Sequence, residues 1–169
     1  MKTRKLTTMA LLTAVALSIF IIEAQIPSPV PIPGIKLGLS NIITVYAVYA
    51  IGAKEGAMIL AARIFLGAVF SGNFGTIFYS AGGGLLAILT TIGLKYVLKE
   101  NQLWIAGCLG AIAHSIGQMT VAVLLTDTPS LLIYLPVLIV CSIITGIFTG
   151  LCAQLLIKRG KNLWKTIFK

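Results

Sequence analysis

Apolar residues run through this chain in blocks of about 16–25, separated by short polar stretches. A block of ~20 apolar residues matches a ~30 Å hydrocarbon core at ~1.5 Å of helix rise per residue. Six helices are predicted, over about residues 6–26, 37–53, 57–70, 76–97, 103–125 and 131–157. The punctuation between them agrees. Pro27, Pro29, Pro31 and Pro33 alternate after the first block. Each lacks an N–H and restricts its predecessor, so residues 27–36 are expected as an extended loop. Gly52 and Gly56 frame one tight turn, residues 71–75 form another, and Asp127-Thr-Pro-Ser130 breaks the fifth block. The second and third blocks are short for membrane spans.

Six spans put both chain ends on one side, and the charges support that count. Lys2, Arg4, Lys5, Lys54, Lys95, Lys99, Lys158, Arg159, Lys161, Lys165 and Lys169 fall on the side of the termini. The opposite side has only Lys36, and Arg63 lies within a span. An excess of this kind marks the cytoplasmic face, so both termini are expected in the cytoplasm of a bacterial plasma-membrane protein. The fold class expected is all-α: residues 1–169 form one domain of six transmembrane helices. It carries an extracellular proline-rich loop at 27–36 and a basic cytoplasmic tail at 158–169.

Composition adds weight to this reading. Hydrophobic residues make up 58% of the chain and charged ones 10%, against about 45–50% and about 25% in soluble domains. The net charge of +9 does not indicate nucleic acid, because the basic residues flank apolar blocks and are not interleaved with aromatics on a soluble module. Membrane lipid is the expected surround. The first block is long for a signal peptide, and no small-x-small cleavage site follows before Pro27. Trp104 and Trp164 fall near span ends, where interfacial aromatics belong. Cys108, Cys141 and Cys152 lie far apart inside apolar blocks and read as small packing residues.

Candidate chemistry lies in the polar residues at membrane depth. Burying an ionisable group there costs at least ~2.5–3.5 kcal/mol on insertion scales, so such groups should face partners, water or a ligand. His114 and Gln118 share a helix face at i, i+4 spacing, with Gly110 and Gly117 clearing space beside them. Asn41, Asn73, Glu23 and Lys36 fall toward the outer half. Arg63 is deeper, ~10 Å from the inner end of its span. Two readings stand: a polar pocket open to the outside for a small solute, or interhelical hydrogen bonds without a ligand. Glu23 is the one acid within a span, and it lies far above Arg63 along the sequence-derived helices. Gly146 and Gly150 form a GxxxG, read as packing inside the bundle. Ala10 and Ala14 form a similar small-xxx-small pair on the first helix.

Catalysis is not expected. The single aspartate, Asp127, is in a loop, whereas prenyl diphosphate synthesis needs clustered aspartates to hold magnesium. No GxxxxGK[ST] loop is present for ATP. No histidine, cysteine or carboxylate cluster suggests a metal site or proton relay, and no cofactor is expected.

Three segments resemble a known family. They are IPGIKLGLSN at residues 32–41, SAGGG at 80–84 and GAIAHSIGQ at 110–118. In this order they are similar to the Gx transporter family, whose members are often labelled heptaprenyl diphosphate synthase component I. That family resembles the S components of energy-coupling-factor transporters. The resemblance implies six helices, capture of a vitamin-like, flavin-like or isoprenoid-related micronutrient, and docking on a membrane T component driven by two ATPase subunits. It also implies that an AxxxA motif on the first helix contacts the T component, a pattern that Ala10 and Ala14 match. On this reading His114, Gln118, Asn41 and Asn73 would contact the solute under the proline-rich loop, with Lys36 and Arg63 available for an anionic group. The label itself implies the alternative, a membrane accessory subunit in polyprenyl diphosphate or quinone synthesis.

Overall fold

A computed structural model of the chain describes residues 3–26, 36 and 38–167, with side chains as far as residue 160. The expected proline-rich loop lies, but for Lys36, outside the described residues. Among the described residues six α-helices follow one another: α1 (Thr3–Glu23), α2 (Asn41–Ala50), α3 (Ala53–Ser71), α4 (Thr76–Lys95), α5 (Leu103–Thr126) and α6 (Leu135–Ile167). Short 3-10 turns at Glu100–Gln102 and Pro129–Tyr134 lead into α5 and α6. No strand occurs among the described residues.

Four helices, α1, α4, α5 and α6, are long and apolar enough to cross a bilayer. Large apolar side chains point outward from them and from α3, including Leu124 at 75% exposure and Phe65 at 61%. Lipid, as the solvent of a membrane-embedded protein, accounts for that surface. The α3 helix has 19 residues but carries Lys54, Glu55 and Arg63.

The short helix α2 departs most from the sequence expectation. It has 10 residues, ~15 Å of rise, half a bilayer core. It sits at the centre of the bundle, touching α1, α3, α4, α5 and α6. Its Ala47 and Val48 are fully buried, and its side chains enter three separate apolar clusters, with Met9 and Ile59, with Leu103 and Ala153, and with Leu60 and Ile88. A helix apolar on every face suits either lipid or a protein interior. Here protein surrounds it, so it need not reach both membrane surfaces. Its start is set back because residues 38–40 curl around Glu23 instead of coiling. Its far end is tied by Lys95, whose Nζ donates to the Val48 carbonyl at 2.6 Å, a cation on last-turn carbonyls. At the same end Lys5 pairs with Glu55.

The remaining helices form an arc in the order α1, α3, α4, α5, α6. Glycine sets two of the crossings. A Cβ on Gly107 of α5 would fall 2.4 Å from the Gly146 carbonyl oxygen and 2.6 Å from the Gly150 Cα. The GxxxG of α6 is therefore an internal seam that brings two backbones together. Gly82 and Gly117 play the same part between α4 and α5, where a Cβ on Gly117 would lie 2.3 Å from the Gly82 oxygen. The sixth helix runs through Ile167, so the expected basic tail from residue 158 continues the helix instead of leaving it.

Candidate functional site

The charged and polar side chains meet at the N-terminal end of α2. In the last turn of α1, Phe20 and Glu23 are 4% and 3% exposed. The Glu23 carboxylate accepts the backbone N–H of Gly38 and, at 3.5 Å, that of Ser40. Gly38 takes φ +81°, a left-handed conformation natural to glycine. This places two N–H groups on one carboxylate, just where the positive end of the α2 dipole favours an anion.

Ser40 also accepts a hydrogen bond, from Arg63 Nη1 at 2.9 Å. Arg63 is 2% exposed, and its guanidinium carbon lies 5.6 Å from the centroid of the Phe20 ring. The Lys36 ammonium sits over the same ring at 3.4 Å. Two cations thus share one aromatic, an arrangement strengthened by exclusion of water. Burial holds the Lys36 ammonium below the ordinary lysine range; Glu23 opposes this shift and Arg63 adds to it.

Helices α4 and α5 close the other side with Ser80, His114 and Gln118. Together with Phe20, Glu23, Lys36, Gly38, Ser40 and Arg63 they line a hollow of about 10 Å³, room for about one water. The Gln118 Oε1 accepts the Lys36 backbone N–H at 3.4 Å, a long and weak bond. The α4 backbone can come this close because residue 83 is glycine. A Cβ there would fall 2.7 Å from Gln118 Cγ and 2.8 Å from the His114 carbonyl oxygen.

Several polar atoms at this site are buried with no hydrogen-bond partner: Arg63 Nε and Nη2, His114 Nδ1, and both amide atoms of Asn41. Buried polar groups are nearly always satisfied, and each orphan costs about 1–3 kcal/mol. Glu23 forms no ion pair with Arg63 or Lys36, since among the described residues the salt bridge is that of Lys5 with Glu55. Two cations therefore face one carboxylate that is already committed to backbone N–H groups.

Of the residues singled out in the sequence, Lys36, Arg63, His114 and Gln118 line the hollow. Asn41 is buried beside it, with Nδ2 2.9 Å from where a Gly38 Cβ would stand. Asn73 is elsewhere. It is exposed, and its Oδ1 accepts the Gly75 N–H at 3.1 Å, shaping the turn into α4. The expected separation of Arg63 from Glu23 does not hold, because the arginine's long side chain reaches beyond its own turn to Ser40 at the hollow. Phe20, Ser40 and Ser80 are the site residues that sequence reasoning passed over, and Glu23, grouped there with the outer-half polar residues, was not among the expected solute contacts. Glu23 carried a usable signal as the one acid in a long apolar block; Phe20 carried none. Ala10 and Ala14 lie away from the hollow, exposed on α1. They line a groove of about 410 Å³ with Leu6, Leu17, Met58 and Leu66. Among the described residues no histidine, cysteine or carboxylate cluster suited to a metal ion is present.

The family described as heptaprenyl diphosphate synthase component I matches residues 12–156, which takes in α2 to α5 whole and the greater part of α1 and α6. No curated protein and no solved structure matches the chain.

Proposed function

This chain belongs to the heptaprenyl diphosphate synthase component I family, and from that premise we propose that it is the solute-binding membrane component of an energy-coupling-factor type transporter. It captures a small micronutrient, vitamin-like or flavin- or isoprenoid-related, and relies on a T component and two ATPase subunits for energy. The observation that carries this reading is the set of unpartnered buried atoms on Arg63, His114 and Asn41 around one hollow. A purely structural network would satisfy those atoms within the bundle. A binding site leaves them for its ligand.

The topology proposed is six crossings with both termini in the cytoplasm. In this arrangement α2 and the turn before it cover the inner half of the membrane, from the hollow to the end where Lys95 and the Lys5–Glu55 pair lie. A helix that starts at depth, with its positive end at the binding site, is a recurring transporter device. Such a backbone break is tolerated because protein surrounds it. The Ala10–Ala14 face of α1 is the proposed contact for the T component, and the protein has no catalytic role of its own.

The test is purification of the tagged chain from its native host in mild detergent. The transporter reading predicts that a T component and ATPases accompany it, and that His114→Ala lowers solute uptake without loss of folded protein. Isolation alone, with no effect of His114→Ala on uptake, would sink it. The family's description favours a second reading, an accessory subunit in polyprenyl diphosphate synthesis. That reading predicts that prenyl-chain elongation by a soluble synthase depends on this protein.

A further inference from the structure

We propose that the ligand of this hollow carries an oxyanion, carboxylate or phosphoryl, which docks on the free Nε–Nη2 edge of Arg63. The inference rests on the solute-binding reading above and narrows the solute to anions. A guanidinium has five N–H donors in a fixed fork. Ser40 Oγ takes one of them through Nη1. The two nitrogens left without partners, Nε and Nη2, are the pair whose N–H bonds run parallel along one side of the plane. That edge matches the two oxygens of a carboxylate or phosphate, and bidentate pairing of this kind is among the strongest polar contacts available.

The surroundings favour the same ligand class. A buried cation needs a counter-charge, yet the nearest carboxylate, Glu23, accepts the N–H groups of Gly38 and Ser40 and makes no ion pair with Arg63. Lys36 lies on the other face of the problem, over Phe20 and in the lining of the same hollow. The site without ligand thus carries two cations and one anion. A cationic solute would meet Arg63 and Lys36 together, and a neutral one would leave the buried charge uncompensated. The hollow of about 10 Å³ suits a single oxygen atom, about the size of a water. A carboxylate or phosphoryl group with two oxygens for the fork is larger than that, so its entry requires the lining to part, and the half-buried Lys36 side chain is the piece proposed to give way.

The chain has three arginines, Arg4, Arg63 and Arg159, so the Nε–H signals of arginine-labelled protein are few. The experiment places that protein in phosphatidylcholine nanodiscs and titrates acetate, inorganic phosphate and inorganic diphosphate. A separate arm adds phosphatidic acid to the nanodisc and no soluble anion, which distinguishes a lipid-borne oxyanion from a free one. One signal, absent in Arg63→Lys, is expected to shift and saturate with at least one of these probes. Arg63→Lys keeps the charge and loses the fork, so its affinity for the same probes, read by titration calorimetry on both proteins because the variant lacks the reporter signal, should fall roughly tenfold or more. The wild-type resonance provides a test that does not depend on the variant folding. No saturable shift with any probe in folded protein, or equal affinity in wild type and Arg63→Lys, overturns the assignment. Absence of ATPase partners, with uptake unchanged in His114→Ala, would sink the transporter reading and leave this titration untouched.

Discussion

Phe20 and Phe65 show what a single residue hides in a membrane protein. Both sit in apolar blocks, yet Phe20 is 4% exposed under two cations while Phe65 is 61% exposed. Nothing in their sequence neighbourhoods separates them, because lipid and protein interior are equally apolar. Arg63, His114 and Gln118 were legible for the opposite reason: a polar group at depth is costly and so stands out. The meeting of Arg63 with Glu23 was not legible, since side-chain reach and the curl of residues 38–40 set it. Two predictions belong at this scale. Asn73→Ala should loosen the start of α4 by about 1 kcal/mol, as loss of a capping turn does, and leave solute affinity unchanged; thermal unfolding and a binding titration check both halves. Lys36 loses its proton below the ordinary lysine value of 10.5, with burial as the main cause. If its charge helps hold an anion, affinity declines as pH rises toward that value, and Lys36→Arg holds affinity to higher pH. A flat affinity profile in the wild type would remove Lys36 from the site.

At the scale of elements, the boundaries of α4 and α5 followed the polar punctuation closely, whereas α2 came out much shorter than its apolar block. Residues 38–40 are spent on Glu23, and the rest of α2 is enclosed by five neighbours. An apolar block reports burial but not the medium that does the burying. The glycines are informative once their neighbours are known. Gly107 faces the backbone of α6 at 2.4 Å from a would-be Cβ, whereas a Cβ on Gly93 would meet nothing within 4 Å. Gly107→Ala should therefore destabilise the bundle by about 1–3 kcal/mol, the range for overpacking. Gly93→Ala should be neutral or stabilise by up to about 1 kcal/mol, from helix propensity alone. Unfolding midpoints of the two variants in one detergent test the contrast, and equal shifts would contradict the α5–α6 seam. Lys95→Met removes the cation from the Val48 carbonyl and should speed hydrogen exchange at the end of α2 while sparing α5.

The whole molecule is a half-length helix held inside an arc of longer ones, with a charged hollow at its upper end and a clamp of Lys5, Glu55 and Lys95 at the other. The bias of lysine and arginine predicts which end faces the cytoplasm. In a background without Cys108, Cys141 and Cys152, an impermeant thiol reagent should label Lys36→Cys in intact cells and spare Lys158→Cys. The reverse pattern would invert the molecule. What the architecture is for depends on whether the hollow holds something. Native mass spectrometry of the protein released gently from its host membrane measures that most directly. The account predicts added mass from one small anionic molecule on the wild-type chain, lost in His114→Ala and Arg63→Lys proteins that remain folded. A bare wild-type chain, or the same added mass on all three, would contradict it.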